Sequence, residues 1–178
     1  MTKVVDLHAF REKALEQKSF GPWQKRFGEM FAAYTRIADL SDAIILCLAQ
    51  PGEVSSTAFY EFIMGVLDLG PAVKFFYLEN DAQMRVVDIH LLLADQVRFE
   101  MMRRLGWLRA VPGADISLID LVRRFEDLKP SLREHPPALD ESHPGYGEFC
   151  GLADGDKDVF IRRMLREAIE AFKKQVDE

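Results

Sequence analysis

The feature that most constrains this chain is one long amphipathic repeat. Beyond Asp81, the residues Val86, Ile89, Leu93, Val97, Met101, Leu105 and Leu108 return at a spacing near 3.6. An apolar stripe of that period is buried by an α-helix, whereas a strand would alternate every second residue. It predicts a helix over about 82–108 with Asp81 as its N-cap. A stripe of that length needs other apolar elements against it, and the rest of the chain supplies more helices.

Leu7, Phe10 and Ala14 place a first amphipathic helix over 4–18. Gly21-Pro22 then punctuates, and proline suits the first position of a new helix because its missing N–H would be unpaired there. Trp23, Phe27, Phe31, Tyr34, Ala38, Ile45 and Leu48 extend that second helix over about 22–49, with Asp39-Leu40-Ser41 as a candidate break. Pro51-Gly52 ends it. A third helix spans Thr57 to Leu69, and Gly70-Pro71 ends it. Ser117 and Asp120 match a loose capping box that opens a helix running to about Lys129, before Pro130. A last helix covers about Asp156 to Val176. The segment Val73–Leu78 is aromatic and β-branched enough for a strand, but a lone strand lacks a partner for its hydrogen bonds. A short helix or extended connector is the preferred reading, with an edge pairing to Val4-Val5 as the alternative.

The expected fold is therefore all-α. It is a single domain over residues 1–178, a bundle of about six helices with a long Pro/Gly-rich loop (130–153) before the C-terminal helix. With 48% hydrophobic residues in 178, the chain can bury a core without disulfides or metal. No internal repeat marks a solenoid.

Composition and motifs exclude more than they select. The net charge is −6, the wrong sign for a nucleic-acid footprint. Residues 42–69 read helix, turn, helix, but residues 29–70 carry six acids against Arg36 alone, which phosphate repulsion would oppose. Cys47 and Cys150 form no Cys-x-x-Cys pair and no disulfide framework. The N-terminal residues mix both charges and lack a signal-peptide core, and Ala43–Ala49 is too short an apolar run to cross a membrane. These readings predict a cytoplasmic protein with no nucleic-acid or membrane partner. Di-iron Glu-x-x-His motifs, phosphate-binding glycine loops and the Gly-x-Ser-x-Gly elbow are all missing. Asp154, Asp156 and Asp158 begin like a calcium loop, but Val159 and Leu165 stand where it needs glycine and glutamate. The stripe Trp23, Phe27, Phe31, Tyr34 reads as core rather than as the wall of a flat cofactor site, and the sequence requires no cofactor.

Two functional expectations survive. The first is a non-enzymatic protein that works through protein–protein interaction or homo-oligomerisation, as a homodimer in its simplest form. It is motivated by helices around Ala43–Ala49 and Phe59–Leu69 that are apolar almost all round. The second is a metal- or small-ligand-binding protein, and conceivably an enzyme, with its site in the 133–150 loop. His135, Glu141, His143 and Cys150 are the candidate metal ligands there, because imidazole, carboxylate and thiolate form the ligand set of zinc-type metals. Tyr146, and His90 on the long helix, are the candidate contacts for an organic ligand.

Overall fold

The computed structural model describes residues 6–178, and within them every regular element is helical. Nine α-helices occur: α1 (Leu7–Phe27), α2 (Asp42–Ala49), α3 (Glu53–Val66), α4 (Asn80–Arg104), α5 (Leu118–Arg123), α6 (Phe125–Glu134), α7 (Tyr146–Cys150), α8 (Asp154–Arg163) and α9 (Leu165–Asp177). Short 3-10 helices cover Ile37–Asp39, Ala72–Tyr77 and Pro112–Asp115. No strand forms among the described residues; two isolated bridges pair Arg36 with Ser117 and Leu108 with Leu139. No described helix is long and apolar enough to cross a membrane. Val73–Leu78 follows the preferred short-helix reading, forming the 3-10 helix Ala72–Tyr77; Val4-Val5, the partner in the alternative edge pairing, lies outside the described residues.

Several expected boundaries move, each for a local reason. The stop at Gly21-Pro22 is not taken, and α1 runs through Pro22 to Phe27. Pro22 has no N–H for the Lys18 carbonyl one turn back, which normally penalises a helix. Here that carbonyl faces Gly65 of α3, so closely that a Cβ on Gly65 would fall 2.2 Å from it. The missing side chain lets the two backbones meet, and Trp23 Nε1 fastens the contact by donating to the Ala58 carbonyl at 2.7 Å. The expected helix over 22–49 is divided. Gly28, at φ +68°, adopts the left-handed conformation that closes α1 and donates its N–H to Gln24. Ser41 then caps α2 through Ile44 N–H, while its own hydroxyl donates to Glu29. Phe31 stays in the core with Phe20 and Trp23, but Tyr34 is exposed.

The amphipathic repeat forms α4, with Glu79 rather than Asp81 at its N-cap, but the helix ends at Arg104: Leu105 is its C-cap, Gly106 turns at φ +77°, and Leu108 instead bridges to Leu139. Ser117 does cap α5, accepting from Asp120 N–H at 3.1 Å. Pro130 lies inside α6 instead of ending a helix, and the break comes earlier, at Arg124. The expected loop over 130–153 is correspondingly interrupted by the end of α6 and by α7. The expected C-terminal helix is divided at Met164 into α8 and α9.

α2, α3 and α9 pack against α4, joining Ile45, Leu48, Phe62, Ile89, Leu93, Val97 and Phe172 in one core. Within α4 the buried set includes a carboxylate, Glu100, whose side chain is 0% exposed. Arg103 donates to both its oxygens at 2.7 and 2.8 Å, and Arg104 Nε donates to one of them at 2.9 Å. Arg104 also reaches Asp42 at 2.7 Å and the carbonyls of Ile37 and Ala38. Burial alone would raise the pKa of Glu100, but the Arg103 and Arg104 hydrogen bonds outweigh it and hold the carboxyl below its ordinary value.

Arg103 is 42% exposed and Arg104 keeps Asp42 and two carbonyls, so losing the buried carboxylate costs its charge-assisted hydrogen bonds, about 1.5–3 kcal/mol, rather than a stranded charge. Glu100→Ala is therefore expected to lose about that much stability in urea denaturation. Glu126→Gln, which breaks only the exposed pair with Arg85, is expected to lose at most about 1 kcal/mol.

Candidate functional site

The two helices whose apolar character suggested a partner are used inside the fold. Ile44, Ile45, Leu48 and Ala49 of α2 are buried, as are Ala58, Phe59, Phe62, Ile63 and Met64 of α3. The unsatisfied apolar surface lies elsewhere, on the 3-10 helix Ala72–Tyr77. Three residues per turn make positions three apart eclipse one another, so the side chains form three rows. Ala72 and Phe75 form the inner row, and Phe75 stacks on Tyr60 of α3 with centroids 4.9 Å apart. Val73 with Phe76, and Lys74 with Tyr77, form two outer rows. Val73 is 73% exposed, Phe76 80% and Tyr77 88%, and Met84 on the first turns of α4 adds a further 61%-exposed side chain. Gln83 Nε2 donates to the Phe75 carbonyl at 3.0 Å, which fixes this aromatic knuckle to α4.

His90 lies beneath the knuckle. Its ring sits 5.3 Å from that of Phe59 and 5.0 Å from that of Tyr60. Burial, reinforced by the charge of Arg98, pushes its pKa below the ordinary 6.5. The sequence put His90 forward as a contact for an organic ligand; the fold makes it a half-buried ring tilted against Phe59 and Tyr60.

The 133–150 segment is divided by the fold. Arg109 N–H donates to the Ala138 carbonyl and Asp140 N–H to the Trp107 carbonyl, which pins Leu139 into the core. On one side of this clamp, His135 donates from Nδ1 to the Ser131 carbonyl at 2.9 Å and lines a cleft between α4, α6 and α8. On the other side, Arg109 pairs with Glu141, and its guanidinium lies 5.7 Å above the Tyr146 ring. Cys150 is exposed, and its nearby thiol pushes the Tyr146 phenol above its ordinary pKa. His143 Nδ1 accepts from Gly145 N–H at 3.0 Å, and the imidazole meets the Trp107 indole edge-on. His135, Glu141 and His143 thus have separate partners, and among the described residues no three His, Cys, Asp or Glu side chains gather into a metal-binding group. Sequence reasoning missed the knuckle because its exposure follows a threefold period, which neither the strand nor the α-helix template detects.

The His90 environment sets a pH dependence. The folded protein holds the ring neutral, while the unfolded chain takes up a proton near pH 6.5. Stability is therefore expected to be full above that pH and to fall as the solution is acidified through it. The melting temperature should drop between pH 7 and about 5.5, and His90→Phe, which keeps the ring stack, should flatten that drop. An unchanged slope in the variant would remove His90 as its source. The chain matches no known family model, and comparison with curated proteins and with solved structures gives no significant match.

Proposed function

We propose that this is a non-enzymatic helical protein that acts through protein–protein contact, with a second copy of the chain as its partner. The observation that carries this reading is the aromatic knuckle. Val73, Phe76, Tyr77 and Met84 leave on the order of 500–600 Å² of apolar surface in water, taking ~200 Å² for each large side chain. That is the upper end of the ~300–600 Å² patch found on ordinary monomers. Two such patches facing one another bury somewhat over ~1,000 Å², about the least that a specific interface needs. The rim carries both signs, Lys74 against Glu79 and Asp81. In a twofold pairing each lysine then faces acids of the other copy, which suits an isologous contact. The reading includes a single domain and a cytoplasmic location; two free thiols, Cys47 and Cys150, accord with a reducing compartment.

Phe76 and Tyr77 are mostly solvent-exposed, so charges placed there spare the core. Native mass spectrometry and sedimentation equilibrium of the wild type are expected to give a dimer at micromolar concentration. Phe76→Glu with Tyr77→Glu should give a folded monomer. A wild type that stays monomeric to about 100 µM, a range that covers ordinary specific dimers, would overturn the reading. So would a dimer indifferent to the double substitution.

A further inference from the structure

The cleft that His135 lines has a volume of about 910 Å³, within the ~300–1,000 Å³ typical of small-ligand sites. Its apolar wall comes from Leu91, Leu92 and Phe99 of α4 and Leu132 of α6. Much of its charge is already engaged. Arg162 of α8 donates to both oxygens of Asp95, at 2.9 and 2.7 Å, and to Asp158 at 3.0 Å.

Arg98 is different. Its Nε donates to the Ala49 carbonyl at 3.1 Å, and its two terminal nitrogens have no protein partner among the described residues. The side chain is half-buried. Burial lowers its pKa, Asp95 opposes that shift and Arg162 adds to it. Gln96 lines the same cleft and is only 6% exposed, yet its Oε1 is buried without a hydrogen-bond partner. That oxygen packs against Gly113, where a Cβ would fall 2.1 Å from it. A half-buried guanidinium with an open edge therefore lines this cavity.

We propose that this cleft binds a small organic monocarboxylate with an apolar body, its carboxylate on the free edge of Arg98 and its body along Leu91, Leu92, Phe99 and Leu132. The two terminal N–H groups of a guanidinium match the two oxygens of a carboxylate. A polyanion is disfavoured, because five carboxylates line the cleft against four Lys and Arg side chains. A neutral apolar molecule would cover Arg98 without pairing it, which is costly. None of these residues belongs to the knuckle, so the site stands independently of the proposed dimer.

Octanoate is the probe, titrated into the full-length protein by calorimetry and followed by two-dimensional NMR. Saturable one-to-one binding is expected, with resonances of α4, α6 and α8 shifted. Octanol should bind at least about tenfold more weakly, since a charge-assisted pair contributes roughly 1.5–3 kcal/mol. Arg98→Met should weaken octanoate by a similar factor. Leu91→Asp, at a 57%-exposed position on the wall, leaves the core intact and should also weaken it, which keeps the test decisive if Arg98→Met fails to fold. The proposal is overturned by any of three results: no saturable octanoate binding, equal affinity for octanol, or displacement of octanoate by millimolar inorganic phosphate.

Discussion

The fold depends on a carboxylate placed where a hydrophobic residue would be expected. Glu100 lies three residues beyond Val97 on the buried side of α4, with no solvent exposure. A charge in that position is tolerable only with full compensation, and Arg103 and Arg104 provide it within one turn of the same helix. Arg104 then carries the compensation outward to Asp42 and to the carbonyls of Ile37 and Ala38. Those groups belong to the Ile37–Asp39 turn and the start of α2. The ion network thus fixes the otherwise irregular approach to α2 against α4, and α2 presents Ile44, Ile45 and Leu48 to the core in consequence.

A second constraint couples two residues that local rules treat as weaknesses. Pro22 removes a hydrogen bond from the middle of α1, and Gly65 lowers the helix propensity of α3. Taken singly, each argues for an interruption, and Gly21-Pro22 was read as one. In the fold they are opposite halves of one contact. The Lys18 carbonyl left without Pro22's N–H is the atom that Gly65 approaches, and a Cα–H group of glycine is a weak donor well suited to it. Around that contact Phe20, Trp23, Phe31 and Phe62 pack ring against ring. No single-sequence rule recognises a breaker whose compensation lies 43 positions away on another helix.

What was legible follows the same logic. α4 is readable because five of its apolar residues, from Val86 to Met101, repeat on one period, and the Ser117 cap because its chemistry is complete within four residues. The division at Gly28 was hidden because Trp23, Phe27, Phe31 and Tyr34 keep helical spacing straight across it. Phe31 returns to the core by a turn, not by a helix, and Tyr34 does not return at all. For the site, residue type was a poor guide. His135, Glu141, His143 and Cys150 are near in sequence, but the bridge between Leu108 and Leu139 separates them to either side. Arg98 and Gln96 carried no motif; what marks them is the hydrogen bonds they lack, which only coordinates reveal.

α4 consequently serves three surfaces at once. Its first turns carry Met84 beside the knuckle, its middle places Gln96 and Arg98 on the cleft, and Glu100 faces the core. These surfaces are not electrically separate. The charge of Arg98 is one of the two causes that keep His90 neutral, and His90 underlies the Tyr60–Phe75 stack on which the knuckle is built. Eight residues, little more than two helical turns, separate Arg98 from His90. An anion bound at Arg98 as proposed would offset part of the positive potential that His90 feels and make protonation of that ring easier. By linkage, protonation of His90 must favour the anion to the same extent. If the cleft takes a carboxylate as proposed, its occupancy and the charge state of His90 would be coupled through Arg98, on the helix that also holds the buried carboxylate.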